Sequence, residues 1–311
     1  MKKSNSRDLK EVATHFIQDI FHRRVFNVID LTGRYGSVNS THVVKTDGDT
    51  FVVRLNTEES VKRFELEKWA INLAIAADVS TPPMIYVGEM DGIAVSVLPF
   101  VPGQNGKEVT NKKELWRALG EYLRKIHNIP VKGYGETLED PDQHLFKGSF
   151  REYVGYNLES LNAQDPLLKM GVLDERTSNL LQDTFTQLSK TTFQFGLSHG
   201  DVSVKNTVVD EKRKVWLLDW GCAQAQIVPH FDFDGVLGWI KPESEKFASF
   251  LQGYGMTLAE FQLIYPQILD FSLLQATDKL RWAIDKKPAN IKKFSVRLKK
   301  KIDAKLQMLG L

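Results

Sequence analysis

Residues 197–221 read LSHGDVSVKNTVVDEKRKVWLLDWG and interrupt a region that is otherwise mainly helical in pattern. A polar loop carries Asp201 and Asn206. Two runs rich in β-branched and apolar residues follow, and they are typical of short strands. The stretch ends in a turn with Asp219 and Gly221, where glycine lets the backbone bend sharply after the carboxylate. The sequence predicts a loop, two strands and a turn here.

This order of motifs is the one in which kinases arrange phosphoryl transfer: an H-x-D-x-x-x-x-N loop, two strands and a D-x-G turn. The amide oxygen of Asn206 and the carboxylate of Asp219 are hard oxygen ligands suited to Mg²⁺. Asp201 precedes Asn206 on the same loop, where it can accept a proton from an attacking hydroxyl. Each motif alone is common in ordinary turns. Together, with apolar strands between them, they favour a catalytic site.

The segment resembles the aminoglycoside phosphotransferase and choline kinase family, whose members carry an H-G-D-x-x-x-x-N loop and a following D-W-G or D-W-E. The helix LGEYLRKIH at 119–127 and the stretch FVPG at 100–103 resemble family motifs too. Phe231-Asp232 falls where the family has an aspartate after the metal motif. The resemblance covers most of residues 30–235. It implies a two-lobed protein-kinase-like fold, with ATP and Mg²⁺ as cofactors.

The resemblance also assigns residues in the amino-terminal lobe. Arg54, in the run FVVRLN, stands where the family has a basic residue that contacts the nucleotide phosphates. Arginine is permanently charged and can grip phosphate with two hydrogen bonds. Glu67 is expected to orient Arg54 through an ion pair, with Glu65 as the competing candidate on the same helical turn. A solvent-exposed arginine with no such role is the alternative.

A second nucleotide contact is expected from the loop GRYGSVNS at 33–40, which resembles the family's opening nucleotide loop. Two glycines three residues apart are equally typical of a plain hairpin turn. The adenine ring is expected against the backbone of Leu98 to Phe100, where Pro99 has no N–H to donate. The residues expected to bind nucleotide in the loop are Gly33, Gly36, Ser37, Asn39 and Ser40.

Hydrophobic periodicity predicts an α+β chain with an antiparallel sheet followed by helices. We predict an amino-terminal lobe over 1–97 and a carboxy-terminal lobe over 98–311. The predicted helices are 8–26, 60–77 and 112–128, with one or two more in 150–192. The predicted strands lie within 25–33, 40–46, 50–56, 84–89 and 93–100, and the lysine-rich stretch 292–305 is predicted to be the exposed face of a terminal helix.

Bulk composition is that of an ordinary globular protein. Of 311 residues, 42% are hydrophobic and 26% are charged, and the formal net charge of +2 is too small to favour nucleic acid as a partner. No apolar run approaches the roughly 20 residues that span a bilayer. The first residues, MKKSNSRDLKEV, lack the apolar core of a secretory signal, and the single cysteine, Cys222, excludes an intramolecular disulfide. We therefore expect a cytoplasmic enzyme without a membrane partner.

The expected activity is transfer of the ATP γ-phosphate to a hydroxyl of a small molecule, with Asp201 as the base. A protein kinase is one alternative, although no A-P-E triplet follows Asp219. A non-catalytic nucleotide-binding protein is another, although Asp201, Asn206 and Asp219 are all present. The acidic residues after Asp219 are scattered among lysines, which predicts a neutral or weakly charged acceptor. A ring-containing acceptor of this kind would suit the aromatic side chains of that region, although core positions are the alternative for most of them: Phe231, Phe233, Trp239, Tyr254, Phe271 and Trp282.

Overall fold

The amino-terminal lobe is built on a five-stranded antiparallel sheet. The structure, a computed structural model, describes residues 8–33 and 39–311. The strand order is β1-β2-β3-β5-β4, and apolar side chains of the first helix pack against one face of this sheet. The elements are α1 (Leu9–Phe21), β1 (Val25–Asp30), β2 (Ser40–Thr46), β3 (Thr50–Thr57), α2 (Val61–Ala76), β4 (Tyr86–Met90) and β5 (Ile93–Pro99).

Two tight turns set the register of this sheet. Between β2 and β3, the backbone N–H of Thr46 donates to the carbonyl of Asp49 at 3.0 Å, which closes the Asp47-Gly48-Asp49 turn. Between β4 and β5, Asp91 and Gly92 have φ angles of 54° and 76°. Positive φ at both central residues is the geometry that matches the twist of paired strands. The predicted strands are therefore joined in two hairpins.

The predicted first helix is too long at its carboxyl end. Helix α1 ends at Phe21 rather than at residue 26, because His22 adopts the left-handed conformation with φ 52°. Strand β1 then begins at Val25. The apolar spacing that continued through residue 26 belongs to this strand.

The carboxy-terminal lobe is mainly helical, as predicted, but contains two small sheets. One has the order β11-β10-β6, and the other has the order β8-β7-β12-β9. The sequence did not predict β7, β8, β9 or β12. The elements are β6 (Gln104–Asn105), α3 (Lys112–His127), β7 (Tyr134–Asp140), β8 (Leu145–Gly148), α4 (Phe150–Glu159), α5 (Pro166–Lys169), α6 (Glu175–Lys190), β9 (Phe195–Ser198), β10 (Thr207–Val209), β11 (Val215–Leu217), β12 (Gln224–Ile227), α7 (His230–Leu237), α8 (Glu245–Tyr254), α9 (Leu258–Lys286) and α10 (Ile291–Leu309).

The predicted lysine-rich terminal helix is α10. Its buried Leu298 and Ile302 join the apolar cluster that includes residues of α9, and most of its lysines are exposed. Arg297 and Lys301 pair with the buried carboxylate of Asp234 in α7. The predicted lobe boundary at 97/98 falls inside β5, two residues before that strand ends. Within residues 8–33 and 39–311, no helix is both long and apolar enough to cross a membrane.

Helices α3 and α8 approach each other at glycines. A Cβ on Gly120 of α3 would overlap the carbonyl oxygen of Phe250 and lie 2.8 Å from the backbone nitrogen of Tyr254. A Cβ on Gly253 of α8 would overlap the carbonyl of Arg117. The backbones can therefore meet only because neither position carries a side chain.

We predict that Gly120→Ala lowers the free energy of unfolding by about 1–3 kcal/mol, because the added methyl group forces the two helices apart. Gly155→Ala in α4 is the matched control, since a Cβ there meets nothing within 4 Å. That change should raise stability by about 0.5–1 kcal/mol through helix propensity. Chemical denaturation measures both, and an equal effect of the two substitutions would contradict the close approach.

Candidate functional site

The polar loop lies between β9 and β10 and fixes the orientation of Asp201. The Nδ2 of Asn206 donates to the backbone carbonyl of Asp201 at 2.8 Å and to its Oδ2 at 2.9 Å. The Nζ of Lys205 also lies 2.8 Å from this Oδ2. One carboxylate oxygen is thus held by two donors. The other, Oδ1, has no hydrogen bond within the described ranges 8–33 and 39–311.

His199 is a structural member of the loop and not a base. Its Nδ1 accepts from the backbone N–H of Asp201 at 3.3 Å, so its Nε2 carries the proton that meets the carbonyl of Leu218 at 3.1 Å. Burial lowers the pKa of His199, against the opposing effect of nearby carboxylates. The ring is therefore neutral and links the loop to the strand before Asp219.

Asp232, at the start of α7, fixes the polar loop through hydrogen bonds to its carboxylate. Its Oδ1 accepts from the backbone N–H of Gly200 at 2.9 Å, and its Oδ2 accepts from Ser198 at 2.7 Å and lies 2.9 Å from Nε2 of His127. Burial raises the pKa of Asp232, but the hydrogen bonds from His127 and Ser198 outweigh burial and leave the pKa below its ordinary value. This buried anion and His127 were visible in the sequence only as matches to family positions.

The D-W-G turn brings Asp219 beside Asn206. Asp219 is exposed and has a φ of 64°, a left-handed conformation that aspartate tolerates better than most residues. The N–H of Leu218 donates to the carbonyl of Asn206 at 2.8 Å. Trp220 is buried, its ring lies tilted against that of His199 with 4.7 Å between the ring centroids, and its Nε1 donates to Thr81 at 3.0 Å. The turn is therefore fixed on both sides of Asp219.

These residues fit a magnesium ion held together with phosphates. Because the Nδ2 of Asn206 is used by Asp201, its Oδ1 is the amide atom left for a cation. The carboxylate of Asp219 is the second oxygen donor. Across the described part of the chain, no three His, Cys, Asp or Glu side chains form a protein-only metal site. Mg²⁺ commonly uses one or two carboxylates and takes its other ligands from phosphate and water.

Arg54 is buried, and it pairs with Glu67. Its two terminal nitrogens lie 2.9 and 2.8 Å from the two carboxylate oxygens of Glu67, and its Nε donates to Ser96 at 3.1 Å. Glu65, the competing candidate, is exposed. Three of the five N–H groups of the guanidinium are thereby used, and one on each terminal nitrogen is left for an anion. The solvent-exposed alternative for Arg54 is wrong.

Beside β5, strand pairing decides which backbone groups remain for a nucleotide. The N–H of Phe100 donates to the carbonyl of Thr50 at 2.8 Å. In an antiparallel pair, every second residue points its backbone N–H and C=O at the same neighbouring strand. Leu98 lies two residues before Phe100 and opposite Val52, so its backbone groups also point at β3. The groups that face the other way are the carbonyl of Pro99 and the N–H of Val101. The backbone contact expected at Leu98 and Phe100 would therefore fall on these neighbours.

The predicted nucleotide loop is described only in part. Gly36 and Ser37 lie outside the described residues. Gly33 has a φ of 74°, which favours glycine. The Oδ1 of Asn39 accepts from Asn56 at 2.7 Å, and the hydroxyl of Ser40 lies 2.9 Å from Nε2 of His42. Asn39 and Ser40 thus make side-chain contacts within the amino-terminal lobe, and their nucleotide contact stays a prediction.

A family model and a relative each match part of this chain. Residues 35–264 match the family model described as the phosphotransferase enzyme family. A probable ketoamine kinase of Vibrio vulnificus (strain CMCP6) is 22% identical over 192 residues, which make up 59% of this chain and 64% of the relative. The chain therefore aligns with less than two thirds of that relative's length.

Solved structures share the fold at low sequence identity. The crystal structure of the aminoglycoside phosphotransferase APH(4)-Ia superposes with a TM-score of 0.69 at 14% identity, covering 94% of this chain and 98% of that one. The GDP and kanamycin complex of APH(2″)-IIIa gives 0.65 at 16% identity, with coverage of 94% and 98%. The predicted protein-kinase-like fold is confirmed.

We predict that the protein loses stability as the pH falls below neutrality. Burial holds the pKa of His42, His199 and His230 below the ordinary value of about 6.5. The unfolded chain therefore binds protons at higher pH than the folded one. The free energy of unfolding should be level above about pH 7.5 and fall as the pH drops through 6.5, by up to about 1.4 kcal/mol per pH unit and histidine.

Urea denaturation at pH 7.5, 6.5 and 5.5 measures this dependence. His199→Gln should show a shallower fall than the wild type, because one lowered pKa is removed. His15→Gln, at an exposed position of α1, is the control and should follow the wild type. Equal slopes for the wild type and His199→Gln would contradict a neutral, buried His199.

Proposed function

We propose that this chain, which belongs to the phosphotransferase enzyme family, transfers the γ-phosphate of ATP to a hydroxyl of a small molecule. The observation that carries the proposal is the arrangement around Asn206. Its Nδ2 orients Asp201, its Oδ1 is left for a cation, and its backbone carbonyl holds the strand that leads to Asp219. A base and a metal site are thus fixed relative to each other.

Different residues of the chain would bind the phosphates, the adenine and the metal ion. Arg54, held by Glu67, would grip the phosphates with its two remaining N–H groups. The adenine would meet the carbonyl of Pro99 and the N–H of Val101. Mg²⁺, when bound by Asn206 and Asp219, would neutralise charge on the phosphates. Similar solved structures contain ADP or GDP, so ATP and GTP are both candidate phosphate donors, and we propose ATP for this chain.

Asp201 would accept the proton of the acceptor hydroxyl through Oδ1. Its Oδ2 is already held by Asn206 and Lys205, so the carboxylate cannot rotate freely and presents one oxygen to the acceptor. Such a base acts on a hydroxyl within hydrogen-bond reach and contributes roughly 10²–10⁴ to the rate. A cytoplasmic location would supply the nucleotide and magnesium that the reaction needs.

Two other functions fit the chain less well. A protein kinase would need a segment that positions a peptide after the D-W-G turn. Here β12 and α7 follow the turn directly, and no A-P-E triplet is present in the sequence. A non-catalytic nucleotide-binding protein has no need of a base whose free oxygen is as closely oriented as that of Asp201.

We predict that removal of Asp201 lowers kcat, whereas removal of Asp219 lowers Mg²⁺-dependent nucleotide binding. Asp201→Ala should lower kcat by at least about 10²-fold and leave Mg·ATP affinity within about twofold, because it removes the base and no metal ligand. Asp219→Ala should abolish the increase in nucleotide affinity that Mg²⁺ produces. Titration calorimetry with and without Mg²⁺, followed by steady-state kinetics, separates the two effects.

Asp183→Ala, at an exposed position of α6, is the control and should behave as the wild type. If Asp201→Ala kept most of its kcat, the assignment of the base would fail. Unchanged Mg·ATP affinity in Asp219→Ala would show that another residue binds the metal.

For the acceptor, the structure narrows the aromatic set. Phe233, Tyr254 and Phe271 are buried, so the core alternative holds for these three and they cannot contact a substrate. Asp232 and Asp234 are buried as well, each with protein partners. They cannot contribute to a cluster of carboxylates for a polycation, which supports a neutral or weakly charged acceptor.

We predict that the enzyme prefers such an acceptor over kanamycin. Steady-state assays should compare kanamycin, neutral polyols and a ketoamine, with phosphorylation read as an increase in product mass. The value of kcat/KM for kanamycin should lie well below that of the best neutral compound. A value near about 10⁶ M⁻¹s⁻¹ for kanamycin, in the range of dedicated enzymes, would contradict the charge argument.

A further inference from the structure

Helix α2 contacts the site with a second charged residue, Arg63, one helical turn before Glu67. Residues four apart lie on the same face of a helix. Glu67 reaches Arg54 in β3, whereas the Nε of Arg63 donates to the backbone carbonyl of Gly221 at 2.6 Å. The side chain of Arg63 is one-third exposed, and a terminal nitrogen lies 3.9 Å from Glu136 of β7.

We propose that Arg63 is a positioning residue, which holds the D-W-G turn in its metal-binding conformation through the carbonyl of Gly221. This inference rests on the proposed function. Arg63 acts through the turn and does not itself contact the metal or the transferred phosphate. It extends the role of α2 from orienting Arg54 to setting the position of the metal ligand Asp219.

The turn needs such a contact because Asp219 adopts a left-handed backbone conformation. The residues before and within the turn are held by Leu218 and Trp220, through Asn206 and Thr81. After the turn, the carbonyl of Gly221 is the group that Arg63 holds. This carbonyl belongs to the peptide between Gly221 and Cys222. A rotation of that peptide would move Gly221, and the carboxylate of Asp219 lies beside Gly221, 3.4 Å from where a Cβ on this glycine would be.

The geometry places α2 directly against the turn. A Cβ on Gly221 would lie 3.4 Å from Oδ1 of Asp219 and 4.0 Å from Oε2 of Glu67. The carboxylate of Asp219 and the ion pair of Glu67 therefore lie on the same side of the turn. A movement of α2 would be transmitted to Asp219 through Arg63 and to the phosphate-binding Arg54 through Glu67.

Two possible effects of Arg63, its positive charge and its hydrogen bond to the turn, predict opposite changes in Mg²⁺ binding when the residue is replaced. If Arg63 acted only as a nearby positive charge, removing it would strengthen Mg²⁺ binding at Asp219, because like charges repel. If Arg63 holds the turn, removing it weakens Mg²⁺ binding, because Asp219 loses its fixed position. The sign of the change decides between the two.

The test is Arg63→Met, which keeps the length of the side chain and removes its charge and donors. The free Mg²⁺ concentration that gives half of the maximal increase in ATP affinity, measured by titration calorimetry, should rise on the order of tenfold. ATP affinity without Mg²⁺ should change less than twofold. Arg63→Lys, which keeps the charge and one possible donor, should lie between the wild type and Arg63→Met.

Arg176→Met, at an exposed position of α6, is the control for a lost arginine and should keep the wild-type response to Mg²⁺. An unchanged or stronger response to Mg²⁺ in Arg63→Met overturns the inference. If Arg63→Met does not fold, Arg63→Gln takes its place with the same expected result. If the wild type itself shows no Mg²⁺-dependent ATP binding, the proposed function fails, which is a separate outcome from failure of the role of Arg63.

Discussion

The carboxylate of Asp232 accepts hydrogen bonds inside the carboxy-terminal lobe, and the loop that carries Asp201 and Asn206 takes its position from them. The buried charge is tolerated because Ser198 and the backbone of Gly200 donate to it and His127 lies within hydrogen-bond distance. Further contacts fix the rest of the loop. His199 meets the strand before Asp219, and Asn206 orients Asp201. Removal of Asp232 would leave these donors buried without a partner, which is more costly than losing a surface contact.

A second set of contacts relates the nucleotide site to the metal site through α2. Glu67 fixes Arg54, which is expected to bind phosphate, and Arg63 contacts the turn that carries the expected metal ligand. Both contacts use arginine, which stays charged and has several donors in a fixed plane. Helix α2 therefore positions both Arg54, which is expected to bind phosphate, and the turn of Asp219, which is expected to bind the metal.

The neighbourhood of the proposed catalytic residues could be predicted from sequence because it is local. Asp201, Asn206 and Asp219 lie within one loop, hairpin and turn, and their order along the chain already specifies their neighbourhood. The carboxylate that pairs with Arg54 could not be chosen in this way, since Glu65 and Glu67 lie within one helical turn. Only the packing of α2 against the sheet buries Glu67 and exposes Glu65. Strands β9 and β12 were missed because they have four residues each and pair with each other across a long stretch of chain. Strands β7 and β8 are neighbours in the chain, but their pairing is interrupted by register irregularities.

By itself, the sequence determined the fold class, most helix and strand positions in the amino-terminal lobe and the three polar residues at the centre of the site. These depend on periodicity, turn residues and short-range spacing, which are properties of neighbouring residues. The tertiary structure decided which aromatic side chains are buried, which backbone groups near Pro99 face away from β3 and which residues hold the loop of Asp201. Those properties arise from contacts such as that of Arg63 with Gly221, between residues 158 positions apart. No local pattern specifies such contacts, because they exist only when the whole chain has packed.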